Sequence, residues 1–274
     1  MSKIIIITDL DGTLLHPGTY SYKEARSALQ LIRELRIPLI FCSSKTRVEI
    51  EVYRKKLNNH HPFISENGGG IFIPADYFSF PVSARKYRNY HLIKLGKPYS
   101  EIRKQFTVLR NSLHVKVQGF GDMSVGKIAE LTNLSTREAN LARQRDFDEP
   151  FIFPGKPDQR FLRAIEEIDL QWTEGRFFHI MGNHDKGKAV YILKDLYERQ
   201  LGEIKTIGLG NSLNDLSMLR AVDRPVLIRD EHNIQDKRIK IPALLKTKSA
   251  GAAGWNAAVK VLLREMSKGT KTHA

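Results

Sequence analysis

Ile4-Ile5-Ile6-Ile7-Thr8-Asp9-Leu10-Asp11-Gly12-Thr13-Leu14-Leu15 is the stretch that decides the fold. An unbroken apolar run of this length reads as a strand buried on both faces, as in a parallel sheet. It ends in two carboxylates separated by one residue. In an extended chain residues i and i+2 share a face, so Asp9 and Asp11 point together from the strand tip, and Gly12 lets the chain turn there. Adjacent carboxylates repel unless a cation or a proton sits between them, which suggests a metal site, or a nucleophile beside an acid. The plain alternative is a polar turn at a strand end. A calcium EF-hand loop is excluded: counted from Asp9, the sixth position is Leu14 instead of Gly and the twelfth is Tyr20 instead of Glu.

Outward from this strand the pattern alternates. Ser21-Tyr22-Lys23-Glu24 has the form of a capping box, and Ala25, Ala28, Leu29, Ile32 and Leu35 follow at helical spacing, which predicts a helix over 22–36. Ile37 to Cys42 predicts a second buried strand ending in Ser43-Ser44-Lys45-Thr46. A capping box from Thr46 to Glu49 opens the next helix, and short strands over 62–65 and 70–74 flank the turn Glu66-Asn67-Gly68-Gly69. Strand–helix units of this kind give a doubly wound sheet with its site at the carboxyl ends of the strands.

The pattern changes after Pro81. Strands over 90–95 and 114–118, helices over 100–112, 125–132 and 136–146, and short strands around Phe151, Gln171 and Arg176 to Met181 predict an α+β module. The alternation then resumes with a helix from Lys188, a strand over 205–209, a helix over 213–221 and a strand over 225–228. The expected division is therefore a core made of residues 1–82 and 184–274, with residues 83–183 inserted as a cap. Residues 236–247 read as a loop with a short strand, and 268–274 as a frayed end.

Composition bounds the function. The 274 residues are 41% hydrophobic and 27% charged, ordinary values for a globular protein. No apolar run approaches the ~18 residues of a membrane span, and the N-terminal run is too short for a signal peptide. One cysteine rules out an internal disulfide framework and points to the cytoplasm. The net charge of +14 raises the question of nucleic acid, but the excess is spread along the chain and no basic tract is interleaved with aromatics. Anionic small substrates, nonspecific affinity for polyanions, or simply a basic surface would each account for it. The oligomeric state is left open.

Ser43 at a strand end, Lys186 in His184-Asp185-Lys186-Gly187, and Asp215 in Gly208-Leu209-Gly210-Asn211-Ser212-Leu213-Asn214-Asp215 are each weak signals alone. In the order carboxylate pair, hydroxyl, lysine, late acid, they resemble the four motifs of the haloacid dehalogenase (HAD) superfamily of phosphotransferases. The resemblance implies that Asp9 is a nucleophile and Asp11 a general acid and base. It also implies that Ser43 and Lys186 hold the phosphoryl oxygens, and that Mg²⁺ is bound by Asp9, the Asp11 carbonyl, Asn211 and Asp215. The chemistry needs these groups, since a phosphomonoester dianion repels a carboxylate unless cations neutralise it. A cysteine phosphatase is excluded, because its C-x5-R motif would require Arg where Val48 stands.

Cys42 to Arg47, Ile64 to Gly68, Glu138 to Ala142 through Arg145, Phe147, Glu149 and Phe151, Gly175 to His179, and Asp185 to Ala189 are similar to the mannosyl-3-phosphoglycerate phosphatases, over residues 1 to about 228. What that family implies is removal of phosphate from mannosyl-3-phosphoglycerate, a small phosphorylated glycoside, to leave the compatible solute mannosylglycerate. The matched motifs carry Ser44, Lys45, Glu66, Asn67, Arg145 and Asn214 as expected substrate-binding residues. Arg47 and Arg176 are added as planar partners for the glycerate carboxylate. Asn211 departs from the resemblance, which has Asp there. Glucosyl-3-phosphoglycerate, a broader range of sugar phosphates, and a substrate-binding protein impaired by Asn211 remain the alternatives.

Overall fold

A computed structural model describes residues 3–230 and 238–268 of the chain. In chain order the elements are β1 (Lys3–Thr8), α1 (Arg26–Glu34), β2 (Leu39–Cys42), α2 (Arg47–Lys56), β3 (Phe63–Ser65), β4 (Gly70–Pro74), β5 (Arg85–Tyr87) and β6 (Tyr90–Lys94). There follow α3 (Tyr99–Ser112), β7 (Gln118–Gly119), α4 (Val125–Thr132), α5 (Thr136–Ala142), β8 (Asp148–Ile152), α6 (Gln159–Glu167), β9 (Gln171–Glu174) and β10 (Phe178–Met181). The last are α7 (Lys186–Leu201), β11 (Ile204–Gly210), α8 (Leu216–Arg220), β12 (Arg224–Arg229), β13 (Leu245–Ala250) and α9 (Gly251–Lys268).

Nine strands form one sheet in the order β13-β12-β11-β1-β2-β3-β4-β6-β5, parallel from β13 to β3 and antiparallel beyond. The isoleucine run explains the two helical layers. Ile4 and Ile6 pack with α1, α2 and α9 around Leu29, Ile50, Trp255 and Val259. Ile5 and Ile7 pack on the other side with α7 and α8 around Val190, Leu193 and Met218. Because both faces are covered, the strand is apolar throughout. The second sheet, β7-β8-β10-β9, is wholly antiparallel. Its core joins Phe151, Phe161 and Ile180 to Ile102 and Phe106 of α3, while α4 and α5 pack through Ile128 and Ala139 beside Phe120 and Phe177. Among the described residues no helix is long and apolar enough to cross a membrane.

Local expectations meet the structure unevenly. Thr46 and Ser135 form reciprocal capping boxes with Glu49 and Glu138. Ser21 does not. Its hydroxyl accepts only the Lys23 N–H, a 3₁₀ turn over Lys23–Ala25 intervenes, and α1 starts at Arg26. The predicted strand over 114–118 shrinks to Gln118–Gly119, with His114 at a φ of 50°. Helix α5 stops at Ala142, short of 146, which frees Arg145 to turn inward. Residues 269–274, most of the expected frayed end, lie outside the described residues, as do 236 and 237 of the expected loop; β13 occupies 245–250.

The chain passes between the two sheets around residues 95–98 and 182–185. Strands β5 and β6 hydrogen-bond to the large sheet, so our reading of the two-sheet layout as core and cap assigns residues 83–94 to the core. One cap-side residue reaches into the core cluster: Phe147, just before β8. Its ring lies in a groove of glycines. A Cβ on Gly69, Gly70 or Gly96 would come within 2.4, 2.6 or 2.7 Å of Phe147 atoms. Phe147→Ala would empty this groove, and its unfolding free energy in equilibrium urea denaturation is expected to fall by about 3–5 kcal/mol. A loss of a few tenths would show that the ring is not a cap anchor.

Candidate active site

The tips of β1, β2 and β11 and the start of α7 meet in one place because the parallel sheet brings their carboxyl ends together. Asp9 follows β1 directly, its N–H donating to Leu209 O at 2.9 Å. Thr8 Oγ1 donates to Asp9 O at 2.7 Å and accepts from Trp255 Nε1 at 3.0 Å. The turn at Gly12 has a φ of 73°, and a Cβ there would lie 2.5 Å from Asn211 Nδ2, so a larger residue would be strained and would displace the Asn211 amide.

Lys186 is fully buried at the first position of α7. Its ammonium donates to Asp9 Oδ1 at 2.7 Å and to Asp215 Oδ1 at 2.6 Å. Burial works against the charge on Lys186, but Asp215 and Asp9 outweigh it and raise the pKa. For Asp9 burial prevails over Lys186 and, with the Asp215 charge adding to it, pushes the carboxyl up to about 7. Asp215 uses its second oxygen to accept the N–H groups of Asn211 and Ser212 at 2.9 and 3.1 Å. Both of its oxygens thus accept hydrogen bonds. Asn211 Oδ1 accepts from Thr13 Oγ1 at 3.0 Å.

Asp11 is paired with Lys45, at 2.9 Å from Oδ2, and its Oδ1 is buried with no hydrogen-bond partner. Lys45 also meets Glu49 at 3.3 Å. Burial opposes its charge, and Asp11 and Glu49 more than compensate. Ser43 is buried, its hydroxyl accepting the Lys45 N–H at 3.3 Å. The oxygens of Asp9, Asp11 and Asn211 are hard donors that suit Mg²⁺. Among the described residues no three carboxylate, histidine or cysteine side chains converge on one point. A magnesium ion fits this donor set, with an amide at position 211 in place of a carboxylate.

A cleft of about 530 Å³ opens from this point toward the cap, lined among others by Asp9, Asp11, Ser44, Lys45, Arg145, Arg176, Asn211 and Asn214. Arg47 is not in it. That side chain meets Glu51 at 2.8 Å and lies over the Tyr87 ring, away from the residues that line the cleft. Glu66 and Asn67, with φ values of 48° and 54°, brace the core against the cap. Glu66 accepts the N–H groups of Asp146, Phe147 and Asp148, and burial, against Arg145, pushes its carboxyl up to about 8. Asn67 donates to Asp148 Oδ2 at 3.0 Å and accepts from Asn214 Nδ2 at 3.1 Å. Arg145 lies between Glu66 and Asp148 and donates to Ser44 O at 2.9 Å.

Sequence reasoning passed over Asp148, His179 and Tyr20. Asp148 is fully buried and holds Arg145, Asn67 and, at 3.0 Å, His179 Nδ1. Its only signal was its place between Phe147 and Glu149. Burial raises its pKa, but Arg145 and His179 overcome that and hold the carboxyl well below its ordinary 3.8. A depressed carboxyl contributes stability that is present above the unfolded value and lost as pH falls through the folded one. Asp148→Asn is therefore expected to lower stability at neutral pH and to make its decline below about pH 4 shallower, as read from urea midpoints across an acid series. Parallel acid limbs in the two proteins would refute this.

A family model described as haloacid dehalogenase-like hydrolase matches residues 6–111. A glucosyl-3-phosphoglycerate/mannosyl-3-phosphoglycerate phosphatase of Methanococcoides burtonii is 44% identical over 265 residues, covering 95% of this chain and 97% of the relative. A mannosyl-3-phosphoglycerate phosphatase of Pyrococcus horikoshii is 37% identical over 82% of this chain and 90% of the relative. Among solved structures, a Thermoplasma acidophilum protein aligns with a TM-score of 0.67 at 16% identity, covering 95% of this chain and 98% of that one. The sucrose-phosphatase of Synechocystis, in complex with sucrose and phosphate, aligns at 0.63 and 12% identity, covering 95% and 98%. These structures share the fold: a mostly parallel α/β sheet with an antiparallel cap. With near-complete coverage at this identity, the chain belongs to the glucosyl-3-phosphoglycerate/mannosyl-3-phosphoglycerate phosphatases within the haloacid dehalogenase-like hydrolases.

Proposed function

We propose that this protein is a cytoplasmic, Mg²⁺-dependent phosphatase that hydrolyses mannosyl-3-phosphoglycerate to mannosylglycerate and phosphate, and that it takes the glucosyl analogue as its Methanococcoides burtonii relative's name describes. The observation that carries this reading is the buried Asp9–Lys186–Asp215 array, whose Asp9 lines, together with Asp11, a cleft large enough for a glycoside.

Asp9 attacks phosphorus through the oxygen that Lys186 does not hold, forming an aspartyl phosphate and expelling the alkoxide of the glycosylglycerate. Asp11 protonates that alkoxide, with Lys45 holding its Oδ2 in place. The same group then takes a proton from the water that cleaves the aspartyl phosphate. Lys186 and Ser43 stabilise the phosphoryl oxygens. Asp9, the Asp11 carbonyl and Asn211 would hold Mg²⁺, which supplies charge neutralisation of the phosphoryl group. Of the cations lining the cleft, Lys45 and Arg145 already face carboxylates, whereas Arg176 meets two neutral oxygens and the Phe177 ring and pairs with no carboxylate among the described residues. Arg176 is accordingly the partner for the glycerate carboxylate.

Phosphate release from a panel of phosphorylated glycosides, with and without Mg²⁺, tests the reading. Turnover of glycosyl-3-phosphoglycerates should be strongest, and Asp9→Asn should fall below about one per cent of it. Comparable rates on unrelated sugar phosphates would favour the broader phosphatase. The amide at 211 favours a second reading, a substrate-binding homologue with little turnover. Asn211→Asp adds a charge beside the cation. After desolvation this is expected to tighten Mg²⁺ binding by about 1–2 kcal/mol, roughly tenfold, measured by titration calorimetry without substrate. Unchanged affinity would place residue 211 outside the metal's coordination. An inactive natural chain with an active Asn211→Asp variant would establish the second reading.

A further inference from the structure

The loop over residues 16–21 folds back on itself beside the cleft. His16 Nδ1 accepts the N–H groups of Gly18 and Thr19 at 3.1 and 3.3 Å, and Tyr20 N donates to His16 O at 2.8 Å. Tyr20 sits in the left-handed region with a φ of 53°, an unfavourable conformation for a bulky side chain. That conformation delivers its phenol to the cap. The hydroxyl donates to Thr132 O at 2.6 Å and accepts from Arg176 Nη1 at 3.1 Å. Next to it, Asn133 Nδ2 donates to Gly18 O at 2.9 Å. None of these contacts involves the two chain crossings that join core and cap. They form a second, non-covalent seam.

Arg176 is fixed at two points: Nη2 donates to Leu131 O at 2.9 Å within the cap, and Nη1 donates to Tyr20 on the core. Its direction therefore depends on the cap being seated. The Tyr20 ring also carries Lys45 Nζ at 5.0 Å from its centroid, and Lys45 pairs with Asp11. One side chain thus touches the cap, the arginine of the cleft and the lysine beside the reacting carboxylates.

We propose that the Tyr20 hydroxyl latches the cap to the core and in the same contact aims Arg176 at the substrate carboxylate, making Tyr20 a positioning residue that sets specificity. The carboxylate part rests on the substrate reading above; the latch part does not. Tyr20→Phe keeps the ring and removes both bonds. Its kcat/KM for mannosyl-3-phosphoglycerate, relative to that for 4-nitrophenyl phosphate, which has no carboxylate, should fall about 5- to 15-fold, mainly through KM. In a double-mutant cycle with Arg176→Ala, the second substitution should add less than about twofold. Amide hydrogen exchange without substrate should quicken in peptides covering 16–21 and 131–134. Equal losses on both substrates, or additive effects with Arg176→Ala, would overturn the aiming role, and unchanged exchange would overturn the latch. If the wild-type protein turns over the aryl phosphate but no glycosyl-3-phosphoglycerate, the substrate reading fails while exchange still decides the latch.

Discussion

The Lys186 ammonium, fully buried and shared between Asp9 and Asp215, is the interaction on which the site depends. Three charges so far from water are tolerable only because each has a partner at hydrogen-bond distance. The arrangement needs close backbone approach. Gly187 lets α7 come against Ser217 O, where a Cβ would lie at 2.5 Å, and Gly210 leaves room for the Asp215 side chain. Glycines at the two ends of the array are thus as much part of its electrostatics as the charged groups.

The second organising contact is the junction built from Glu66, Asn67, Arg145 and Asp148. Here too buried charges are paired, but across the boundary between the two sheets. Phe147 adds an apolar anchor at the same place. The seam at Tyr20 is of another kind: its groups are only partly buried and its bonds run mainly to main-chain oxygens. The geometry pairs a firm junction with a lighter fastening.

Much of this was legible in the residues. The Ile4–Ile7 run specified a strand covered on both faces, and the i, i+2 carboxylates specified the strand tip, because both follow from backbone periodicity. Thr46–Glu49 announced α2 for the same local reason. What was missed depended on distant partners. Helix α9 escaped because glycines at 251 and 254 weaken its first turn, although Trp255, Val259 and Leu262 mark its apolar face. Asp148 looked like any acid beside a phenylalanine until Arg145 and His179 met it. Arg47 and Arg145 are indistinguishable as sequence, yet one finds Glu51 on its own helix and the other reaches from the cap to Ser44 and Glu66 of the core. Asp215 was read from its place in the late motif, and its contacts with Lys186 and with the N–H groups of its own turn follow from the fold.

The double-sided burial of β1 has a consequence for how the chain finds its alignment. Where one face of a strand is polar, a slip of one residue exposes apolar side chains and is opposed by hydrophobicity. In a run of four isoleucines such a slip exchanges like for like, so the middle of the strand has almost no vote. The alignment must be decided at the end. There Thr8 has to meet Trp255, and Lys186 needs a carboxylate where Leu10 would otherwise arrive. The reactive end of the strand thereby doubles as its register pin, and the chemistry and the correct pairing of the central sheet are inherited as a single constraint.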